Sequence, residues 1–501
     1  MLRGIEHTIT FLPSNRKVVV AAGTNLIKAA REAGLHINAS CGGAGVCGKC
    51  RVIVEQGDVG GGRSEKLSPD DYALGYRQAC IAVVTADLTV RIPQESGISG
   101  GALATAVPER HRARMHVFEV DRLKQEGIFE PPVEKLCLEL TPPSAVDNRA
   151  DVGRMIQGLA DQYDLHRLVT GFPVLRKIRR VMRENNFLIT VTVGRPVNEK
   201  FRTQIVNVQS GCWASRNFGL AIDIGTTTVY GQLLDVNSGK VLTEEGDYNA
   251  QISYGEDVIS RIMYAERPEG LARMSDLVTG TINGVIKRLL DRTVPPYGLT
   301  TERITIDEIN SVTIAANTTM THLFLGLEPE NIRRSPYVPV STFFPPIRAS
   351  DLGLNLPPHA LALVYPAVSS YVGGDIVAGV MGSGMYRTEL LTLYIDIGTN
   401  AEIVIGNRDW LVCAACSAGP AFEGGGITHG MRAATGAIED FSLNPETYEP
   451  MNITIGHKPP IGICGSGLLI IVASLFENCL INQAGRFNPI KSPRLPGAKR
   501  R

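Results

Sequence analysis

Three cysteines stand within ten residues, Cys41–Cys50 reading CGGAGVCGKC, at the spacing C-x5-C-x2-C, and Cys80 follows after 29 intervening residues. A tight loop closed by one distant thiolate is an arrangement that wraps a 2Fe–2S cluster. Gly42, Gly43, Gly45 and Gly48 suit that role. A chain curling around sulfides needs backbone angles that a Cβ forbids, and its N–H groups must come close to the cluster. The plainer readings are a structural zinc site or a pair of disulfides. Zinc sites favour two C-x2-C knuckles, and here only Cys47 and Cys50 make one. The predicted ligand set is Cys41, Cys47, Cys50 and Cys80.

A second chemistry begins at Phe218. The stretch FGLAIDIGTTTVYGQLLD reads as a strand, a Gly-Thr turn and a second strand, and LLTLYIDIGTNAEIVIG repeats the device around Asp396. An Asp ending a buried strand before Gly-Thr-Thr or Gly-Thr-Asn sets backbone N–H groups and hydroxyls around a phosphate. Its carboxylate is placed to hold hydrated Mg²⁺. One copy is equally a simple hairpin; two copies predict a duplicated domain with a nucleotide clamped between its halves. The expected phosphate residues are Asp223, Gly225, Thr226, Thr227 and Thr228, with Asp396, Gly398, Thr399 and Asn400 in the second copy. The glycine-rich segment CSAGPAFEGGGITHGMRAATGAIE offers Glu423 as a candidate to position metal or water, or else shapes an interface. Cys413 and Cys416 are read as buried thiols at a strand end rather than a redox pair. GICGSG, ending at Gly467, starts a helix whose N-terminus suits an anion.

The elements that must position these groups follow from hydrophobic period. Residues 7–12 and 17–21 form a hairpin about Pro13-Ser14-Asn15, Thr24 caps a helix carrying Leu26, Ile27, Ala30 and Ala33, and strands are expected at 51–55 and 87–92. That order is a β-grasp ferredoxin. Residues 95–114 lack a hydrophobic period and read as a linker. An α/β region follows, with strands near 115–120, 136–140, 187–193 and 203–208 and helices near 149–162 and 172–185. The basic string 176–180 is the solvated face of the second helix, with Leu175, Ile178, Val181 and Met182 inward. The expected division is 1–94, a linker at 95–114, 115–210, 216–487, and a basic tail at 488–501.

Lys+Arg and Asp+Glu both number 50, so net charge argues for neither nucleic acid nor a membrane surface. The N-terminus lacks the apolar core of a signal peptide, and the apolar run 461–476 is broken by Gly-Ser-Gly. Ten cysteines, four of them assigned to a cluster, predict a reducing cytoplasm rather than a disulfide scaffold.

In combination and order, CGGAGVCGKC, DIGTTT, YVGGDI, DIGTNAE, CSAGPAFEGGG and GICGSGL resemble the reductive activators of corrinoid proteins. These are ferredoxin-domain members of the acetate and sugar kinase/Hsp70/actin (ASKHA) superfamily. The resemblance implies an α/β and α+β multidomain chain: a β-grasp 2Fe–2S domain, a small α/β middle domain, and a duplicated ribonuclease-H-like, actin/Hsp70-like ATPase domain. It implies an electron-transfer protein that returns Co(II) in a partner corrinoid methyl-transfer protein to Co(I), with ATP and Mg²⁺, fed by an upstream reductase or ferredoxin. The adenosine motif expected after the Gly-Ser-Gly helix is missing, so an incomplete ATPase domain is expected. Two other readings remain open at this level. One is a small-molecule kinase with an accessory cluster; the other is a ferredoxin-like carrier whose ASKHA domain only docks partners.

Overall fold

The computed structural model describes residues 5–35, 37, 45, 48–93, 96, 120–195, 202–255, 257–293, 303–398, 400–417, 420–424, 427–431 and 433–488. Cys41, Cys47, Thr399, nearly all of the expected linker and all but the first residue of the expected basic tail lie outside them.

The N-terminal sheet has the order β2-β1-β7-β3-β5, made by β1 (Glu6–Leu12), β2 (Arg16–Ala21), β3 (Arg51–Gln56), β5 (Tyr76–Gln78) and β7 (Leu88–Arg91). A side pair joins β4 (Val59–Gly61) to β6 (Ala82–Val84). The predicted hairpin is β1–β2, antiparallel, and β7 joins β1 in parallel. Helix α1 (Leu26–Glu32) buries Leu26, Ala29 and Ala30 in a core shared with Ile9, Phe11, Val52 and Val90. Its cap is Asn25, whose Oδ1 accepts from Lys28 N at 2.8 Å, and not the predicted Thr24. The chain turns helical one residue later than expected, and the amide at that position satisfies an orphan N–H. A short helix α2 (Pro69–Ala73) is capped by Ser68.

Residues 115–119 of the expected strand lie outside the description, and Val120 opens helix α3 (Val120–Gln125). The next sheet runs β8-β10-β11-β9, from β8 (Val133–Glu139), β9 (Val169–Thr170), β10 (Leu188–Gly194) and β11 (Gln204–Ser210). Helices α4 (Asp151–Tyr163) and α5 (Phe172–Glu184) share its core. On α5 the buried residues are Val174, Ile178, Val181 and Met182, while Leu175 is exposed. Helical geometry explains the exchange: Val174 lies four residues before Ile178 on the same stripe, and Leu175 falls beside the basic face. Against the composition-based expectation, Cys137 and Cys212 form a disulfide, with Cα atoms 5.3 Å apart.

A buried polar joint ties this sheet to the next. Lys135 Nζ donates to Arg216 O at 3.0 Å, Asn217 Nδ2 donates to Val133 O at 3.0 Å, and Arg216 pairs with Glu308. The third sheet has the order β14-β13-β12-β15-β17-β16: β12 (Phe218–Ile224), β13 (Thr228–Asp235), β14 (Lys240–Tyr248), β15 (Ile309–Ala316), β16 (Ile347–Arg348) and β17 (Leu361–Val364). Helices α6 (Val258–Ala265), α7 (Gly270–Arg292) and α8 (Thr318–Leu325) close its largest core; Asn317 caps α8. Helix α9 (Gly374–Ser383) leads to the sheet β18-β19-β20, made by β18 (Thr392–Ile397), β19 (Asn400–Gly406) and β20 (Leu411–Ser417). Strands β21 (Ala437–Leu443), β22 (Pro450–Thr454) and β23 (Gly462–Ile463) make the last sheet, beside helix α10 (Gly465–Glu477). Leu393, Ile395 and Ile397 on β18 and Leu469, Val472 and Phe476 on α10 are exposed.

Candidate functional site

Register explains how Cys50 and Cys80 meet. Cys50 precedes β3 and Cys80 follows β5. These strands pair antiparallel with Arg51 opposite Gln78, and Ala79 N donates to Cys50 O at 2.8 Å. Both cysteines are buried in the β-grasp core. Gly45 and Gly48 hold left-handed φ values of +82° and +71°, and a Cβ on Gly48 would lie 2.8 Å from Lys66 Cβ. The loop is tied down by Gln78 Nε2 donating to Gly45 O at 2.8 Å and Arg51 Nε donating to Gly48 O at 3.3 Å. Thiolates in an apolar core require a positive counter-charge, which bound iron provides. The two described thiols, beside glycines in a conformation closed to other residues, therefore fit a cluster.

Each Asp-Ile-Gly-Thr motif stands at a strand end and is closed by its glycine N–H. Asp223 lies one residue from the end of β12, flanked by Tyr230 on β13 and Ala315 on β15. Gly225 N donates to Thr228 O at 2.8 Å and closes the turn. In the second copy Asp396 lies one residue from the end of β18, and Gly398 N donates to Asn400 O at 2.8 Å. Glu402 stands directly opposite Asp396 on β19. Asp375 lies in the first turn of α9. Tyr394 OH donates to Asp396 Oδ2 at 3.4 Å. Gly379 on α9 permits this, since a Cβ there would meet the Tyr394 hydroxyl at 2.1 Å.

The acidic groups feel one another. Lost hydration, then Asp375 and Asp396, push Asp223 up to about 7. Burial and Asp396 raise Asp375 to about 6, and burial with Asp375 and Asp396 raises Glu402 to about 7. Asp223 is nonetheless solvent-exposed at the end of β12, so solvent screens much of this effect. Among the described residues no three His, Cys, Asp or Glu side chains are close enough together to enclose a metal ion. A cleft of separated carboxylates instead suits a cation that keeps several waters, as Mg²⁺ does.

Motif reading missed Asp375, Glu402 and Tyr394. Glu402 had a signal: it shares a strand face with Asn400, two residues away. Glu423 ends a 3-10 turn, Pro420–Glu423, and its side chain lies outside the description. The neighbouring glycines allow backbone to meet backbone. A Cβ on Gly424 would lie 2.4 Å from Met431 N, and one on Gly467 would lie 2.0 Å from Ile438 O. Cys413 and Cys416 are exposed within β20, not buried at its end. Three residues apart on a strand, they project to opposite faces.

The ferredoxin fold contacts the segment after β14 through Arg31, in the last turn of α1. Its guanidinium lies over the Tyr254 ring, 5.2 Å from the centroid, and Tyr254 packs on Tyr264 at 4.7 Å. Burial lowers the Arg31 pKa.

Four family models match consecutive stretches. These are the 2Fe-2S iron-sulfur cluster binding domain over 9–85, the RACo linker region over 122–215, the RACo middle region over 218–388, and the C-terminal ASKHA domain of RACo over 390–500. The chain is 38% identical to the solved structure of a reductive activator for corrinoid, iron-sulfur protein, with TM-score 0.64, covering 97% of this chain and 75% of that one. It is 36% identical over 271 residues to the corrinoid activation enzyme RamQ of Eubacterium limosum, covering 54% of this chain and 44% of RamQ. Against the Co(II) methylated amine-specific corrinoid protein reductase of Methanosarcina barkeri, identity is 25% over 319 residues, covering 56% and 53%. The chain thus spans about half the length of these curated relatives.

Proposed function

The chain belongs to the RACo family of reductive activators of corrinoid proteins, and from that premise we propose that it returns Co(II) in a partner corrinoid methyl-transfer protein to Co(I). The observation carrying this reading is likeness across 97% of the chain, at 38% identity, to a solved activator. Cys41, Cys47, Cys50 and Cys80 are the proposed ligands of a 2Fe–2S cluster. Such a cluster, when bound, supplies single electrons at low potential. The chain's own part is to seat it: Cys50 and Cys80 enter from the core, and Gly45 and Gly48 let the backbone close over it.

The Asp223–Thr228 and Asp396–Asn400 turns are the proposed phosphate sites for ATP, with Asp223 and Asp396 holding hydrated Mg²⁺ between them. Asp375 and Glu402 add negative charge around that ion, and protonation of these groups below their raised pKa values would weaken it. Nucleotide turnover acts by binding two states of the complex unequally, so favouring the one from which reduction proceeds. The proposed setting is the cytoplasm, with an upstream reductase or ferredoxin as electron source.

The test is reduction of a Co(II) corrinoid protein by anaerobically purified protein, with and without Mg·ATP, followed by the cobalt absorbance. Cys47→Ser should abolish the reduction. Undiminished reduction by that variant would remove the electron-relay role.

A further inference from the structure

Beneath the first turn, and outside every motif above, lies Arg261 on α6. It is the largest completely buried side chain among the described residues. Its Nε donates to Gly255 O at 2.8 Å, Nη1 donates to Gln251 Oε1 at 3.1 Å, and Nη2 donates to Thr226 O. The neighbouring carbonyls of the turn are held the same way. Gly225 O accepts from Asn249 Nδ2 at 2.9 Å, and Thr227 O accepts from Asn249 N at 2.9 Å. Asn249 and Gln251 are themselves fully buried.

Two successive carbonyls, of Gly225 and Thr226, are therefore drawn into the protein, while that of Thr227 lies in the sheet and accepts from the residue that follows β14. In a trans peptide the C=O and the following N–H point in opposite directions. Anchoring those oxygens inward aims the N–H groups of Thr226 and Thr227 outward. Outward N–H groups in succession make an anion-binding concavity. We infer that Arg261 is a positioning residue for phosphate binding, fixing the Thr226 peptide from below so that the turn is preformed for a phosphate group. Only a planar guanidinium reaches three acceptors at such angles; an ammonium keeps the charge without the fork.

The inference rests on the reading of Asp223–Thr228 as a phosphate turn, and the experiment separates the two. The full chain and its Arg261→Met and Arg261→Lys variants are titrated with Mg·tripolyphosphate, a phosphate-only probe, well below each protein's unfolding midpoint. Arg261→Met should weaken binding by at least about tenfold, the usual worth of a charged hydrogen bond, and Arg261→Lys by less. A purely structural arginine would lower the unfolding midpoint and leave the affinity of the folded protein unchanged. Wild-type affinity in the folded variants overturns the positioning role alone. Absence of binding by the wild-type chain overturns the phosphate turn itself and the inference with it. If Arg261→Met fails to fold, Arg261→Lys, titrated below its own midpoint, decides: tighter or equal binding refutes, and weaker binding supports.

Discussion

Replacing Asp223 with Asn should stabilise the protein when Mg²⁺ is absent. The wild-type carboxyl is raised from 3.8 to about 7, chiefly by lost hydration and then by Asp375 and Asp396. At roughly 1.4 kcal/mol per unit, a fully dry group would carry about 4 kcal/mol. Because Asp223 touches solvent, screening reduces this to about 1–2 kcal/mol. The folded-state pKa lies above the unfolded one, so the folded chain keeps an extra proton between about pH 4 and 7. Stability is therefore lost as pH rises through that window. The amide that Asp223→Asn introduces is neutral throughout and escapes the loss. Thermal unfolding at pH 8 in EDTA should place the variant roughly 2–6 °C above wild type, and at pH 4 the difference should vanish. Adding Mg²⁺ at pH 8 should raise the wild-type midpoint and leave the variant unmoved. A variant less stable than wild type at pH 8, or equally responsive to Mg²⁺, would refute the reasoning.

Two further outcomes follow from named contacts. Gly48→Ala places a Cβ at φ +71° and 2.8 Å from Lys66 Cβ, a strain of about 1–3 kcal/mol in the cysteine loop. Visible absorbance of the anaerobic protein should then bleach several-fold faster in the presence of an iron chelator, and an unchanged lifetime would sink the idea. Arg31→Ala removes a cation–π contact of about 1 kcal/mol between α1 and Tyr254. Hydrogen exchange over Ala250–Ala265 should accelerate up to about fivefold, whereas identical protection would mean that the contact does not hold the segment.

What the sequence revealed and what it hid divide along a physical line. The hairpin at Glu6–Ala21 and the two Asp-Ile-Gly-Thr turns were legible because each is decided within a few residues, by turn chemistry and side-chain alternation. The grouping of Asp375 and Glu402 with Asp223 was not. It arises where α9 and the β18–β19 pair come to the end of β12, and no local pattern records that convergence. Arg261 was hidden for another reason: an arginine amid Val258-Ile259-Ser260 and Ile262-Met263 reads as the solvated face of a helix, yet it is fully buried. The exposed Cys413 and Cys416 reverse the error, since their apolar neighbours suggested burial on a strand whose faces the described residues leave open.

The two turns share a sequence and differ in what lies around them, and that difference gives the cleft its polarity. Below the first turn sit a buried cation and two amide side chains, Arg261, Asn249 and Gln251, all joined to carbonyls or to one another. The second turn brings Asp396 with Glu402 opposite, and Asp375 and Asp396 both act on Asp223. At the position that pairs with Asp223 the first copy has Tyr230, whose hydroxyl donates to Glu244 at 2.7 Å, where the second copy has Glu402. On the proposed reading the first turn thus offers backbone N–H groups to an anion, close to carboxylates that favour a cation. A phosphate chain carrying a hydrated divalent ion satisfies both, whereas a free phosphate would meet the carboxylates uncompensated and a free metal ion would meet outward N–H groups. On the proposed reading each copy contributes a turn for phosphate and a carboxylate, Asp223 or Asp396, for the hydrated ion, and the added Asp375 and Glu402 weight the second copy towards that ion.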